Sequence, residues 1–341
     1  MRRRTIVRLS NNLISGVRLA LIRALLANKC DMRQAIVVAS SPRSGSTWLS
    51  QMLSTMPDSA VLFEPLHLRY VPEASQAGFS WRTYVDPGVD WPEGKAFLTR
   101  IFRGDVLNWW TTRQMTLRSA FSARFLIVKF VRASRLLPWM CRSFSIRAPV
   151  LLIRHPCAVI ASQMRSPIDW KNPARPEIPS RFPGYSRLQK IIKALDTREE
   201  FLAADWALDY LPALLAPSLH PWQVISYEEL RLRSEEAMQR IFATWGSEVP
   251  AEVWQKVAQP STVTYSSGIS SLEGWKQQLS TEQVRRILDV TNRIGIPFYA
   301  DAAEPDYRLL HKIACDNPTA TGTFAAESAS AGSFFSARRA D

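Results

Sequence analysis

The chain has 341 residues, of which 46% are hydrophobic and 21% are charged, a composition typical of a globular protein with a large core. Its 43 basic residues exceed its 30 acidic residues and give a net charge of +13, which favours an anionic partner such as nucleic acid, anionic lipid or a phosphorylated small molecule. The four cysteines contain no C-x-x-C pair and the four histidines no H-E-x-x-H spacing, so neither a disulfide framework nor a metal site is predicted.

Residues 1–34 are predicted to form a basic amphipathic helix. The first acidic residue is Asp31, and no uncharged apolar run approaches the roughly 20 residues that a membrane span requires. On a helical wheel of about 100° per residue, six apolar side chains share one face and five basic side chains gather on the opposite face. The apolar six are Ile6, Leu9, Leu13, Val17, Leu21 and Ala24, and the basic five are Arg4, Arg8, Arg18, Arg23 and Lys29.

Two interpretations of this helix stay open. Its apolar face can pack on the domain that follows, or residues 5–29 can make a peripheral contact with an anionic membrane surface. The segment has no secretory cleavage site. The expected location is therefore the cytoplasm, either free or peripherally at a membrane.

Residues 35–49 predict a strand, a tight loop and the start of a helix. The apolar, β-branched run ends at Pro42, and apolar residues resume at helical spacing from Trp48. The first turn of a helix after such a loop has unpaired N–H groups and a dipole that favours an anion. Gly45 permits close approach of the backbone, and Arg43 supplies a countercharge. Hydroxyl donors come from Ser44, Ser46 and Thr47.

The second and third predicted strands carry charged side chains near their ends. Residues 61–63 run into Glu64-Pro65-Leu66-His67, which places a carboxylate at the rim where α/β sheets bind ligands. Residues 125–132 form a third strand with Lys129 towards its end. The intervening residues 68–124 are rich in aromatic side chains and suit a binding pocket above the sheet.

The fourth strand, residues 149–153, leads into Arg154, whose planar guanidinium group suits a phosphate dianion. Ser162 follows about two turns into the next predicted helix. A fifth strand, residues 223–226, leads into Tyr227. Because apolar strands alternate with helical stretches and the chemically active residues follow strand ends, the pattern predicts an α/β fold with a mainly parallel sheet.

Four ordered segments resemble the sulfotransferases that use 3′-phosphoadenylyl sulfate (PAPS). Pro42–Leu49 is similar to their 5′-phosphosulfate loop, and Arg154–Ser162 is similar to their 3′-phosphate motif, with arginine and serine eight positions apart. Two further segments, at Tyr227–Leu230 and at Trp275–Gln283, also match family patterns. The resemblance covers roughly residues 35–300 and implies a three-layer αβα, P-loop-like fold with about five strands.

The resemblance implies transfer of a sulfuryl group from PAPS to an acceptor hydroxyl without a metal ion. Glu64 is implied as the general base, His67 is the second candidate, and Lys129 is expected to approach the transferring group. Trp48 and Tyr227 are implied to contact the adenine end of the donor. The complete set of expected donor-binding residues is Arg43, Ser44, Gly45, Ser46, Thr47, Trp48, Arg154, Ser162 and Tyr227.

The sequence also departs from the pattern of the cytosolic sulfotransferases. The histidine that follows their strand lysine is absent after Lys129, and the Arg-Lys-Gly that many members place shortly before the tryptophan corresponding to Trp275 is replaced by Gly268-Ile269-Ser270. The F-E-P segment ending at Pro65 is closer to the carbohydrate sulfotransferases. A glycan or glycolipid is therefore the favoured acceptor, and a phenol, a small alcohol or a peptide tyrosine stays open.

The predicted domains are the N-terminal helix at 1–34, a sulfotransferase domain at 35–312 and a disordered tail at 313–341, whose Ala/Ser/Gly/Thr-rich sequence lacks hydrophobic periodicity. One alternative is a magnesium-dependent nucleotide kinase or NTPase, although the loop lacks the Walker lysine. A second is a non-catalytic protein that binds polyanions or membranes. We expect no nucleic-acid partner, and the oligomeric state is left unpredicted.

Overall fold

A computed structural model of the chain describes residues 15–166, 170, 172–216, 222–259 and 271–315. Five strands form one sheet in the order β2-β3-β1-β4-β5, and every neighbouring pair is parallel. The first four strands are buried along their whole length, which explains their continuous apolar sequence. The strands are β1 (Ile36–Ser40), β2 (Ser59–Phe63), β3 (Phe125–Phe130), β4 (Val150–Ile153) and β5 (Gln223–Ser226).

Helices connect the strands and cover both faces of the sheet. Residues 15–26 form α1. The others are α2 (Ser46–Leu53), α3 (Pro72–Gln76), α4 (Pro92–Arg103), α5 (Leu117–Ser122), α6 (Leu137–Ser143), α7 (Pro156–Met164), α8 (Tyr185–Lys193), α9 (Arg198–Leu215), α10 (Tyr227–Leu232), α11 (Ser234–Thr244), α12 (Glu252–Val257), α13 (Thr281–Ile294) and α14 (Tyr307–Cys315).

Alternate strand residues enter two separate hydrophobic cores, because successive side chains of a strand point to opposite faces. On β1, Val37 and Ala39 join the core beneath α4, α7 and α9, whereas Ile36 and Val38 join the core beneath α2 and α11. The domain is therefore a three-layer αβα structure with a parallel five-stranded sheet, as predicted.

The strand order brings the predicted functional segments to one edge of the sheet. Strand β1 lies between β3 and β4. The strands that follow it in sequence are added first on one side of β1 (β2 and β3) and then on the other (β4 and β5), and this change of direction opens a crevice at the carboxyl ends of the strands. Arg43 follows β1 and Arg154 follows the adjacent β4. Glu64 follows β2, and Phe63 pairs with Lys129 on β3.

Helix α1 packs on the domain with a different face from the predicted apolar one. Ile22 and Leu26 are fully buried, whereas Val17 and Leu21 are exposed. The apolar face predicted from the helical wheel is therefore not the face that contacts the domain in residues 15–26. The physical reason is that basic side chains of α1 hydrogen-bond to backbone carbonyls of the domain, as described below.

Part of the predicted domain organisation lies outside the described residues, namely 1–14 and 316–341. Helix α14 continues to Cys315, three residues past the predicted boundary at 312. Within the described ranges, no helix is both long and apolar enough to cross a bilayer. The same ranges contain no group of three or more His, Cys, Asp or Glu side chains that could hold a metal ion.

Candidate functional site

The β1–α2 loop, residues 41–45, has a conformation that requires glycine at its last position. Gly45 has a φ of 92° and immediately precedes the first residue of α2. A Cβ atom added there would lie 2.5 Å from Cδ2 of Tyr227, which is far inside contact distance. Arg43 also has a positive φ, of 73°, which is uncommon for a residue other than glycine. The loop is therefore strained locally and packs directly against the Tyr227 ring.

Side chains of helix α9 hydrogen-bond to the β1–α2 loop. The Tyr210 hydroxyl accepts a hydrogen bond from the Ser41 N–H at 3.0 Å, contacts the Ser44 hydroxyl at 3.0 Å and donates to the Leu152 carbonyl at 3.1 Å. The Ser41 hydroxyl donates to the Asp209 carboxylate at 3.1 Å. Ser44 is fully buried, so its hydroxyl supports the loop from within.

The sequence did not indicate the roles of Tyr210 and Asp209. They lie on α9, more than 160 residues after the loop, and no local pattern marks them. Asp209 is itself paired with Arg135 at 3.1 Å and with Arg82 at 3.2 Å. The two arginines neutralise the charge of the Asp209 carboxylate. Through Asp209, the β1–α2 loop is connected to the segments that contain Arg82 and Arg135.

The two predicted anion-binding motifs meet in the structure. The Nε of Arg43 donates to the Ser162 hydroxyl at 2.9 Å, and Nη1 of Arg154 donates to the Arg43 carbonyl at 3.1 Å. The Arg154 guanidinium carbon lies 4.2 Å from the centroid of the Tyr227 ring. Residues separated by more than 100 positions in sequence thus form one cluster at the ends of β1 and β4.

This cluster contains two guanidinium groups without a direct carboxylate partner in the part of the chain that the structure describes, and the carboxylate that acts on Arg154, that of Glu228, is fully buried and has a raised pKa. Within the described residues, neither Arg43 nor Arg154 forms a salt bridge. Burial lowers the pKa of Arg43, and the charges of Arg154 and Arg165 lower it further. The buried Nε of Arg154 also has no hydrogen-bond partner in the described part of the chain. Such a site favours a bound polyanion.

The first turn of α2 borders this cluster. Ser46 and Thr47 are its first two residues, so their N–H groups have no acceptor within the helix. Trp48 is 5% exposed, donates from Nε1 to the Lys256 carbonyl at 3.2 Å and meets the Tyr227 ring edge-on, with centroids 5.8 Å apart. The half-buried Tyr227 ring therefore borders the loop, with the buried Trp48 ring packed behind it.

A second charged group lies at the ends of β2 and β3. Glu64 has a φ of 42°, and its N–H donates to the Lys129 carbonyl at 2.9 Å. Its carboxylate accepts a hydrogen bond from the Lys129 ammonium at 2.5 Å and lies 3.7 Å from Arg132. Burial alone would raise the pKa of Glu64, but Lys129, Arg132 and His67 outweigh burial and lower it. The carboxylate is therefore ionised and paired at neutral pH.

His67 lies within a group of aromatic rings next to Glu64. Its ring centroid is 4.5 Å from that of Tyr70, 5.1 Å from Trp81 and 4.9 Å from Trp110. The Arg132 guanidinium stacks on Trp81 at 4.3 Å. Trp81 is 42% exposed, so this aromatic group reaches the surface beside the Glu64 carboxylate.

Three solved structures are similar to the chain at low sequence identity. The sulfotransferase domain from the curacin biosynthetic pathway is 18% identical, with 68% of this chain and 80% of that chain covered and a TM-score of 0.36. The sulfotransferase domain of the Synechococcus PCC 7002 olefin synthase is 16% identical, with 76% and 93% covered and a TM-score of 0.40. Mouse sulfotransferase SULT7A1 complexed with PAP is 12% identical, with 88% and 96% covered and a TM-score of 0.41.

None of the curated proteins compared with the chain matches it significantly. The profile of one protein family, described as the Sulfotransferase family, matches residues 35–251. That range contains all five strands and every predicted site residue from Arg43 to Tyr227. The match favours sulfuryl transfer over the alternatives of a nucleotide kinase and of a non-catalytic binding protein. The chain therefore belongs to the sulfotransferase family and is an enzyme that transfers sulfuryl groups.

Proposed function

We propose that the enzyme moves the sulfuryl group of PAPS to a hydroxyl group of a glycan or glycolipid by in-line displacement. The observation that carries the proposal is the contact between the two anion-binding motifs. Arg43 reaches Ser162, and Arg154 reaches the backbone of Arg43. A nucleotide with phosphate groups at both ends of its ribose needs two such cationic positions close together.

The residues present fit the donor. The β1–α2 loop and the first-turn N–H groups of α2 would hold the 5′-phosphosulfate, with Arg43 as countercharge. Arg154, whose Nε has no partner within the described residues, and Ser162 would hold the 3′-phosphate. The rings of Trp48 and Tyr227 would contact adenine, because the face of an aromatic ring favours base stacking. The segment at 268–270, which replaces the family's Arg-Lys-Gly, lies outside the described residues.

Sulfuryl transfer resembles phosphoryl transfer, so the enzyme contributes mainly by positioning and charge stabilisation. As the bond from sulfur to the bridging oxygen breaks, negative charge grows on the 5′-phosphate that leaves. Contacts from Arg43 and from the N–H groups of Ser46 and Thr47 would strengthen at that moment. They would therefore stabilise the transition state more than the bound substrate.

Glu64 is the proposed general base for the acceptor hydroxyl. Its ion pair with Lys129 keeps the carboxylate deprotonated but also lowers its affinity for a proton. Movement of the Lys129 ammonium towards the sulfuryl oxygens would free one carboxylate oxygen. The same movement would raise the Glu64 pKa at the stage when the acceptor must lose its proton. His67, packed among aromatic rings, is the second candidate.

The aromatic side chains next to Glu64 support a carbohydrate acceptor. Trp81 is 42% exposed and Trp109 is 56% exposed, and the Trp109 ring meets Tyr70 at 5.2 Å between centroids. Exposed rings offer flat apolar surfaces on which the apolar face of a sugar can lie. A screen for radiolabelled sulfate transfer from PAPS to glycans, glycolipids, phenols and small alcohols tests the acceptor class directly.

Donor binding is tested by calorimetry with 3′,5′-adenosine bisphosphate. Arg154→Ala is expected to lower the affinity at least about tenfold, because a charged hydrogen bond to phosphate is lost. Arg103→Ala is the matched control, since it removes the same charge from an exposed position at the end of α4. An Arg154→Ala protein that is folded and binds the nucleotide normally would contradict the proposed donor site.

The base is tested by Glu64→Gln, which keeps the size of the side chain. We expect turnover to fall by about 10²–10⁴, the usual contribution of a general base, while affinity for 3′,5′-adenosine bisphosphate stays unchanged. Near-normal turnover would transfer the role of base to another group. Loss of nucleotide affinity in the same protein would show instead that Glu64 maintains the shape of the site.

A further inference from the structure

Helix α1 exposes the apolar face that the sequence predicts as its packing surface. Val17 is 55% exposed and Leu21 is 46% exposed, and the two lie one turn apart on the same side of the helix. Ala20 and Ala24 are also exposed. Since Ile22 and Leu26 are buried on the other side, α1 is apolar on both its inner and its outer face.

Basic side chains fix α1 in this orientation. Arg18 donates from Nη2 to the carbonyls of Thr112 and Met115, and Arg23 donates to the carbonyl of Leu107. Charged hydrogen bonds to backbone carbonyls are among the stronger ones in proteins. Rotating the outer apolar face towards the domain would break these bonds and expose Ile22. The outer face therefore stays available to a partner.

Helix α5 carries a second pair of exposed apolar side chains, next to the end of α1. Leu117 is 42% exposed and Phe121 is 67% exposed, and their spacing of four residues places both on one side of α5. The Lys29 ammonium, just beyond the end of α1, donates to the Phe121 carbonyl at 3.2 Å and lies 5.2 Å from the Phe121 ring centroid. We call Val17, Leu21, Leu117 and Phe121 together the α1–α5 surface.

Two basic side chains lie next to the apolar residues of the α1–α5 surface, and two acidic ones, Asp31 and Asp105, are exposed near Lys29. Lys29 borders Phe121, and Arg118 is exposed on α5 beside Leu117. The sequence before α1 adds Arg2, Arg3, Arg4 and Arg8 without an acidic residue, and it repeats the apolar spacing at Ile6, Leu9 and Leu13. An apolar strip with a basic border matches the boundary between acyl chains and anionic headgroups of a bilayer.

We propose that the α1–α5 surface docks the enzyme on a membrane leaflet that contains anionic phospholipids. The four apolar side chains enter the headgroup boundary, while Lys29 and Arg118 meet the lipid phosphates. The helix lies in the plane of the membrane and does not cross it. This docking does not depend on which nucleotide or acceptor the enzyme uses.

The test is flotation of the full-length protein with phosphatidylcholine vesicles, prepared with and without phosphatidylglycerol. We expect the protein to float with the anionic vesicles, to float far less with the neutral ones and to be released as salt rises. Leu21→Glu and Phe121→Glu are each expected to lower the bound fraction at least about tenfold, because each removes a large apolar contact and adds repulsion. Leu232→Glu, at a 52% exposed position on α10, is the matched control and should float like the unmodified protein.

Two results would overturn the proposal. The first is failure of the unmodified protein to float with anionic vesicles, or flotation of both glutamate variants to the same extent as the unmodified protein. The second is a dimer in solution, detected by light scattering, that the same variants dissociate, because a second copy of the chain would then cover the surface. Thermal unfolding verifies that the variants are folded, and Leu21→Ser and Phe121→Ser replace the glutamate variants if those are destabilised.

Discussion

Gly45 stands where the β1–α2 loop and the Tyr227 ring come closest. A Cβ atom there would lie 2.5 Å from Cδ2 of Tyr227, and the φ of 92° is unfavourable for any other residue. We predict that Gly45→Ala lowers the affinity for 3′,5′-adenosine bisphosphate at least about tenfold, because either the loop or the ring must move away from the nucleotide. Calorimetry measures the affinity.

Gly246→Ala is the matched control for this prediction. Gly246 also has a positive φ, of 61°, but a Cβ atom there would meet nothing within 4 Å. Its substitution should cost about 1–2 kcal/mol of stability from backbone strain alone and leave nucleotide affinity unchanged. Equal nucleotide affinity of the two alanine variants would show that the contact with Tyr227 is not needed for binding.

The pair of Glu64 and Lys129 illustrates how one contact can serve two stages of a reaction. Lys129 is buried, and its ammonium lies 4.2 Å from the centroid of the Phe63 ring as well as against Glu64. Burial lowers the pKa of Lys129, while the charge of Glu64 raises it and limits the shift. In our proposal the ammonium pairs with Glu64 before the donor binds and with the sulfuryl group afterwards.

At the scale of elements, helix α9 determines the shape of the β1–α2 loop. The Tyr210 hydroxyl contacts the Ser41 N–H, the Ser44 hydroxyl and the Leu152 carbonyl. We predict that Tyr210→Phe leaves these groups unsatisfied, costs about 1–3 kcal/mol of unfolding free energy and lowers nucleotide affinity as well. Denaturant unfolding and calorimetry on the same preparation measure the two effects.

Ser59→Ala separates the loss of a buried hydrogen bond from a specific effect on the loop. The Ser59 hydroxyl is buried and donates to the Met56 carbonyl at 2.8 Å, at the start of β2 and therefore at the opposite end of the sheet. The Ser59→Ala protein should have a lower free energy of unfolding and an unchanged nucleotide affinity. If Tyr210→Phe behaved in the same way, α9 would stabilise the fold without shaping the site.

The sequence predicted those parts of the fold that depend on local patterns. The strand, loop and helix at Ala35–Leu49 follow from apolar periodicity and from the break at Pro42, and the five-stranded parallel sheet is confirmed. The pairing of Asp209 with Ser41 was beyond sequence reasoning, because it depends on how a distant helix packs under the loop.

Helix α1 shows the same limit for orientation. The helical wheel correctly groups Val17 with Leu21, but it does not determine which side faces the domain. Hydrophobicity alone favours burial of that face. The structure buries another, because Arg18 and Arg23 find backbone carbonyls at fixed positions that only the tertiary fold creates.

At the scale of the whole molecule, the α1–α5 surface and the proposed acceptor site belong to neighbouring parts of the chain. Arg18 bonds the Thr112 carbonyl, and the adjacent Thr111 carbonyl accepts from the N–H of Phe63, the residue before Glu64. We propose that a protein docked through α1 takes a glycolipid in preference to a freely diffusing glycan as its acceptor.

The pH dependence of global stability is expected to report on His155, at the start of α7. Its Nδ1 accepts from the Cys157 N–H at 3.2 Å, Nε2 lies 2.9 Å from the Ala300 carbonyl, and its ring stacks on Trp275 with centroids 4.7 Å apart. These contacts suit the neutral imidazole. Burial, together with the smaller effect of the Arg154 charge, lowers the His155 pKa to about 4, although the hydrogen bond to the Ala300 carbonyl raises it.

Because the unfolded chain takes up this proton near pH 6.5 and the native protein only near pH 4, the free energy of unfolding should fall as the pH drops through that window, by up to about 3 kcal/mol from this group. Glu228, whose carboxylate accepts from the backbone N–H of His155, has a raised pKa, so its protonation stabilises the native protein as the pH drops and opposes the effect of His155. We predict that His155→Gln, in which Glu228 is kept, shows a flatter fall than the unmodified protein in urea titrations between pH 7 and pH 4. Parallel curves for the two proteins would mean that the native state accommodates the imidazolium ion, and that burial of this ring does not limit stability in acid.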